Sequence, residues 1–422
     1  MERQTSCADS FEVDAISVDD ARKRIFEKIS PITGMEKLTL RSCFNRILAE
    51  DIYSPINVPS HINSAMDGYA IAGDDLPTDS PQRYEIIGTS YAGKPSSANY
   101  QKGKVIRIMT GGVMPAGTDT VIMQEQVALI DEHTIQLQPE HTTGQNVRQA
   151  GEDIAKDCLV LSKGRQISAA DLGILASLGI GELYVYRRPR IAFFSTGDEL
   201  RSIGEKLQEG EIYDSNRYTL YGMLTQLDVE VLDMGLVRDT PEAMREAFKS
   251  ASQMADIVIT SGGVSVGDAD YIKPTLKELG ETYFWKVAMK PGRPLTFGSL
   301  HQSSENTWFF GLPGNPVAVM VTFLQFLQPA IHYLSSGNIK TPLTLQATST
   351  SKLYKRAGRT EFQRGIFKQT SDGEITVKRT GKQGSGILTS MSIANCFIIL
   401  SEDSTGVDEG DTVKIQPFFG VI

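Results

Sequence analysis

The chain has 422 residues, 40% hydrophobic and 22% charged, with a net charge of −9; this length exceeds what one core serves and predicts a multidomain globular protein. The acidic balance and the lack of a basic tail exclude a binder of nucleic acid that tracks phosphate backbones. Four scattered cysteines (Cys7, Cys43, Cys158, Cys396) without CxxC, and histidines without HxH or HExxH spacing, exclude a disulfide framework or a zinc site.

The opening MERQTSCADSFEVDA is polar and acidic, unlike a signal peptide, and no run approaches ~20 apolar residues, so no membrane span and a cytoplasmic location are expected. Ser17 with Asp20 has the form of a capping box, and ARKRIFEKI carries apolar residues at helical spacing until Pro31 and Gly34. The first element is therefore a helix. A short strand and a helical turn, CFNRILAEDI, are expected between Leu38 and Ile52, before SPINVPSHINSAMDGYA breaks regular structure. Between 54 and 151, YEIIGTSYAG, KVIRIMTGG and DTVIMQEQVALI predict short strands. ISAADLGILASLGI reads as a helix with Ser168 as N-cap.

From Arg190 to about 335, strand patterns (RIAFFST, EVLDMGLV, DIVITSGG, WFFGL) alternate with helical ones (SNRYTLYGMLTQL, TPEAMREAFKSA, KPTLKELG, PVAVMVTFLQFLQPAIHYL). Such alternation predicts a parallel-rich sheet with crossover helices. The last stretch alternates with period two and predicts a small β domain. The fold expected is multidomain α+β: a discontinuous linker domain at 16–53 and 152–187, an inserted β-rich domain at 54–151, an α/β domain at 188–337 and a β domain at 338–422.

Four predicted strand ends carry unusual loops: TGDEL (196–200), RDT (238–240), SGGVSVGDADY (261–271) and LPGNPVAV (312–319). Ligands of open parallel sheets sit beyond these ends. Gly314 allows a sharp turn and Pro316 suits a first helical turn whose free N–H groups form an anion site. Each loop also has a plain alternative: Asp198 and Glu199 could cap a following helix, Asp239 could belong to the N-cap before Pro241, and GLPGNP could be only a tight turn. Their coincidence favours function. Glu199, Asp239, Asp268 and Asp270 at one rim would repel unless compensated, so magnesium bridging carboxylate and phosphate oxygens is expected. FWKVAMKPGRPLTFG adds Lys286, Lys290 and Arg293 around a Pro-Gly turn, read as a rigid basic loop. No GxxxxGK[ST], GxGxxG after a strand, or GxSxG occurs.

Taken jointly, NSAMDGYA, RIMTGGVMPAGTDTVIMQE, QNVRQAGEDI, FSTGDEL, IYDSNRY, SGGVSVGDADY, FWKVAMKPGRP, GLPGNPV, GRTEFQRG and GKQGSG resemble the molybdopterin molybdenumtransferases, relatives of the gephyrin E domain, over nearly the whole chain. The resemblance implies a central molybdopterin-binding domain. It implies adenylylated molybdopterin and molybdate as substrates, hydrolysis of the phosphoanhydride, release of AMP and insertion of molybdenum into the dithiolene, assisted by Mg2+. By motif it places Glu199, Asp239 and Asp270 near the metal and phosphoanhydride, with Lys286 and Lys290 balancing charge. Asp67, Thr110 and Asp153 fall on functional positions of the N-terminal modules. Thr196, Gly197, Ser261, Gly262, Gly263, Ser265, Gly267, Asp268, Pro313, Gly314, Asn315 and Pro316 would cradle the pterin substrate.

Molybdate would lie beside Lys290, Arg293, Arg359 and Ser385, donors expected to lack a competing carboxylate. Two positions depart from the family's usual KPGKP and GLPGNPVS, namely Arg293 and Ala318. The resemblance further implies an elongated homodimer with a cleft shared between subunits, and a molybdopterin adenylyltransferase and acceptor molybdoenzymes as partners. A catalytically silent pterin-binding scaffold and an adenylyltransferase are the alternatives.

Overall fold

A computed structural model describes residues 15–263, 271–301 and 306–418. The chain divides into two compact units, one comprising residues up to Glu36 and from Tyr186 onward, the other Lys37–Val185.

In the first unit, helix α1 (Val18–Lys28) begins where the Ser17 hydroxyl accepts the Asp20 N–H at 3.0 Å. Asp20 receives the Ser17 hydroxyl in return, so the second arm of the expected capping box is a side-chain contact. Val18, Ala21 and Ile25 sink into the unit's main core, which joins residues 15–36 to the α/β fold.

That fold runs β1 (Arg190–Thr196), α2 (Ser215–Thr225), β2 (Glu230–Val237), α3 (Pro241–Met254), β3 (Ile257–Ser261), α4 (Ile272–Leu279), β4 (Gly280–Lys286), β5 (Pro294–Leu300), β6 (Thr307–Leu312) and α5 (Pro316–Thr322). The sheet order is β2-β1-β3-β6-β5-β4, the first four strands parallel and the last two antiparallel. RIAFFST, IVITS and TWFFGL are apolar runs because both sheet faces are covered. Phe193, Ile259 and Phe310 face one core, and Phe194, Val258 and Phe309 the other.

The antiparallel pair corrects the reading of FWKVAMKPGRPLTFG as one rigid basic loop. Phe284 and Phe297 bury 6% and 0% exposed in the main core, so β4 and β5 consume both ends of the segment. Only residues 287–293 connect them, including the short strand Met289–Lys290.

Helix α5 continues through a π-helical turn, Phe323–Leu327, into Gln328–Ser336, and ends at Gly337 in the left-handed conformation. Pro316–Ser336 is long and apolar enough to cross a membrane by length and composition, but 83% of its apolar window is buried inside the fold. It is a core helix. Strands β7 (Leu345–Ser349), β8 (Thr360–Gln369), β9 (Ile375–Arg379), β10 (Cys396–Leu400) and β11 (Thr412–Pro417) follow in the order β8-β9-β7-β11-β10, closed by pairing of β8 with β10.

The second unit holds a six-stranded sheet in which Gly68–Ile71 lies between Thr120–Met123 and Lys104–Ile108. Beside it, Cys43, Leu48 and Ile52 share a core with Leu161, Leu175 and Val185. Helix Ala169–Ser177 starts on a complete capping box, Ser168 with Asp171. CFNRILAEDI is not helical. A 3-10 turn at Leu40–Cys43 gives way to Asn45 with φ +64, which no helix interior accommodates, and the chain leaves through bridges at Ile47 and Leu48.

Candidate functional site

The sheet register brings five loops to one edge. Thr196 lies opposite Val237, Ser261 opposite both Ser195 and Leu312, and Lys286 opposite Pro294. From β1 the chain goes first to β2 on one side and then to β3 on the other, so the gap between β1 and β3 is the topological switch point where such sheets take ligands. Gly262 sits there with φ +92, and a Cβ on it would fall 2.5 Å from the Thr196 carbonyl oxygen, so only glycine fits. A Cβ on Gly314 would come 3.9 Å from Gly262 Cα, which sets the two glycine turns side by side. Thr196, Gly197, Ser261, Gly262, Gly263, Pro313, Gly314, Asn315 and Pro316 thus share this edge, whereas Ser265, Gly267, Asp268 and Asp270 lie outside the described residues.

The plain alternatives for the acids do not hold. TGDEL leads into the two-residue strand Leu200–Arg201, not a helix, so Asp198 and Glu199 cap nothing and stay exposed. Thr240, not Asp239, is the N-cap of α3, its hydroxyl accepting the Ala243 N–H at 3.3 Å. Asp239 Oδ1 and Thr196 Oγ1 are buried beside one another, and neither finds another hydrogen-bond partner among the described residues. Burial pushes the Asp239 carboxyl above the ordinary Asp range; Asp198 and Glu199 push the same way, and the neighbouring Thr196 hydroxyl pulls back. An acid held this way fits a cation or another donor from a ligand. Among the described residues no cluster of three or more metal-binding side chains is complete.

The start of α5 is more occupied than the sequence suggests. Pro316 has no N–H, and the Val317 N–H donates to the Ser385 carbonyl at 3.0 Å. The Val319 N–H donates to the Asn315 carbonyl at 3.0 Å, which leaves the Ala318 N–H of the first turn for an anion. The same bond fixes the GKQGSG loop, and Ser385 with it, against GLPGNPV. Behind that loop, Arg364 is 1% exposed and donates to Gly384 O at 3.0 Å and Ser390 Oγ at 3.1 Å. Burial lowers its guanidinium to about 10. Arg359, the arginine singled out from sequence, lies in the bend immediately before β8 and is partly buried. In the sequence Arg364 lies within the motif GRTEFQRG and otherwise stands out only as a charged residue in the apolar alternation of EFQRGIF.

One expectation fails at Lys290. Met289–Lys290 pairs in parallel with β8, Lys290 opposite Glu361, and this register sets Lys290 Nζ 3.1 Å from Glu361 Oε1. The glutamate is 6% exposed and also accepts from Gln363 Nε2 at 3.0 Å. A carboxylate therefore competes with any oxyanion for this lysine. Lys286, at the end of β4, and Arg293, just before β5, are partly buried on the same sheet edge.

In the second unit, Asp67 Oδ1 accepts both the backbone N–H and the hydroxyl of Thr110 at 2.7 Å. These bonds hold the Asp67 carboxyl below the ordinary Asp range. Gly68 is required beside it, since a Cβ there would lie 1.9 Å from the Ile122 carbonyl oxygen. Asp153 is exposed, its N–H bound to Val58 O at 3.0 Å, and nothing shows it joined to the Asp67–Thr110 pair.

Family comparisons agree along the chain. Residues 16–179 match the MoeA N-terminal region (domain I and II), 192–333 a probable molybdopterin binding domain, and 346–418 the MoeA C-terminal region (domain IV). A molybdopterin molybdenumtransferase of Haemophilus influenzae is 45% identical over 404 residues, covering 96% of this chain and 98% of its own. The chain belongs to the molybdopterin molybdenumtransferase family. It is accordingly an enzyme, a transferase of molybdenum cofactor biosynthesis.

Other members bear out the breadth of the match. The Nostoc molybdopterin molybdenumtransferase is 35% identical, covering 94% of this chain and 93% of its own. Dictyostelium gephyrin is 33% identical over 94% of this chain but only 61% of its own length. A solved molybdopterin biosynthesis MoeA protein from Pyrococcus horikoshii superposes with a TM-score of 0.83 at 28% identity, covering 96% of this chain and 100% of that one. The family's probable molybdopterin binding domain coincides with the sheet whose edge carries the glycine turns and Asp239.

Proposed function

We propose that this enzyme inserts molybdenum from molybdate into adenylylated molybdopterin, hydrolysing the phosphoanhydride and releasing AMP. The observation that carries this reading is the buried Asp239 oxygen, with no partner but the neighbouring Thr196 hydroxyl among the described residues, at the end of β2 on the same sheet edge as the Gly262 turn, where no Cβ fits. The glycine turns would donate backbone N–H groups to phosphate oxygens, apart from Gly262, whose N–H donates to the Leu312 carbonyl at 3.3 Å; an acidic protein can offer such donors without net positive charge. Asp239 and Glu199, with Asp270 beyond the described residues, would hold Mg2+, which supplies Lewis-acid neutralisation of phosphoanhydride charge.

Lys286 is assigned to charge balance at the same edge. Molybdate is assigned to Lys290, Arg293, Arg359 and the Ser385 loop, with Arg364 as a further donor behind that loop. At Lys290 a metalate must displace the Glu361 carboxylate already in place. Asp67, Thr110 and Asp153 are proposed to complete the cleft from the partner copy of a homodimer. Supply by a molybdopterin adenylyltransferase, delivery to acceptor molybdoenzymes and a cytoplasmic location complete the proposal.

The test is AMP release from adenylylated molybdopterin with magnesium, with and without molybdate, followed by reconstitution of an apo molybdoenzyme. Molybdate-dependent AMP release with active product is expected. Tight pterin binding without release would replace the transferase by a scaffold.

A further inference from the structure

The segment from Glu211 to Arg217, between β1 and β2, carries no role in the function above, yet it reaches the TGDEL, Ser261 and Gly314 loops and strand β2. The Ile212 N–H donates to the Glu199 carbonyl at 2.8 Å, and Ile212–Tyr213 pairs with Leu200–Arg201. Arg217 Nε reaches both oxygens of Asp233 at 2.8 and 2.9 Å, on the strand that leads to Asp239. At its centre, Asn216 is nine-tenths buried, and its Nδ2 donates to Ser261 Oγ at 2.9 Å and to the Gly314 carbonyl at 2.8 Å.

These two acceptors stand 45 and 98 residues from Asn216 in the chain. They belong to the two glycine turns that lie side by side at the ends of the neighbouring strands β3 and β6. The Gly314 carbonyl can only accept, so it fixes which end of the amide points at the turns. Asp214 anchors the donor from below: its carboxylate accepts the Arg217 N–H at 3.1 Å and starts α2 with Asn216 in the first turn.

We propose that Asn216 is a positioning residue that sets the separation of the Ser261 and Gly314 turns, so that their backbone N–H groups form one phosphate cradle. The inference rests on the phosphoanhydride chemistry proposed above. Asn216 touches no reacting atom; it acts through the backbone it ties. Without its amide, the Gly314 carbonyl loses a buried donor and the turn relaxes independently of Ser261.

The experiment compares wild type with Asn216→Ala and Asn216→Ser in three measurements: AMP binding with magnesium, KM and kcat for adenylylated molybdopterin, and the urea unfolding midpoint. For N216A we expect AMP affinity to fall, and KM to rise, by about tenfold, as the loss of one or two buried hydrogen bonds predicts, in protein that remains folded. A merely structural role would lower the active fraction and leave KM and AMP affinity unchanged, and that result overturns the proposal. If N216A does not fold, N216S, which keeps a small polar group, is judged by the same two quantities. Wild type that neither binds AMP nor cleaves the adenylylated pterin overturns the underlying function, and the inference falls with it; wild type that does both while the variants match it overturns the inference alone.

Discussion

At Asp239 burial disfavours the charged carboxylate, and Asp198 and Glu199 repel it as well. The folded state therefore holds its proton to higher pH than the unfolded chain does. Between the ordinary Asp range and the raised value the native state binds more protons, so the ligand-free enzyme loses stability as pH rises through that window. Asp239→Asn removes the conflict: the unliganded variant should unfold at an equal or higher temperature than wild type, and its pH dependence should flatten. Magnesium with AMP should raise the melting temperature of wild type and not of D239N, and turnover should drop by roughly 10²- to 10³-fold, as for loss of a group that stabilises developing charge. A variant less stable than wild type, with turnover retained, would remove Asp239 from the site. The acid was legible in RDT only as one of two readings, and the Thr240 cap decides between them. Asn216 and Arg364 lie within the quoted motifs IYDSNRY and GRTEFQRG, but their roles were not legible, because each works through carbonyls and hydroxyls distant in sequence, and no local spacing encodes such a partner.

Among the elements, the long helix from Pro316 carries two consequences. Ala318, 3% exposed in its first turn, stands where family members commonly have serine. Ala318→Ser should tighten molybdate binding by up to about 1 kcal/mol, the net value of one hydrogen bond, measured by titration of the magnesium-loaded enzyme. No change in affinity would show that position 318 does not face the metalate. Further along, burial and then Lys340 lower His332 from 6.5 to about 4. A depressed histidine pKa means that the unfolded chain takes up the proton first, so stability falls as pH drops from about 6.5 toward 4. His332→Asn should shallow the fall of the urea midpoint over that range, and an unchanged slope would place the acid sensitivity elsewhere. Strands of the parallel sheet were readable because burial on both faces leaves unbroken apolar runs such as RIAFFS. The segment 40–52 was misread because CFNRILAEDI matches helical spacing while its apolar residues fill a core beside β bridges. In FWKVAMKPGRPLTFG, charge and proline masked a strand pair whose aromatic residues pack inside.

At the scale of the whole molecule, Asp67 with Thr110 and Asp239 with the glycine turns lie in different compact units. A homodimer with a shared cleft, as we propose, gives each site one group from each copy, and this is separable from a site built within one chain. Asp67→Asn and D239N should each be nearly inactive alone, since each removes one side of every site. Mixed and allowed to exchange subunits, half of the dimers become hybrids, and each hybrid carries one site with both acids intact and one with neither. The mixture should recover about a quarter of wild-type turnover, the value for random pairing of two copies. A site built within one chain predicts no recovery, because no copy then holds both acids. Light scattering at micromolar concentration fixes the premise: a mass of one chain would refute the dimer and leave complementation without a physical basis, whereas a dimer without complementation would place both acids in the service of a single copy.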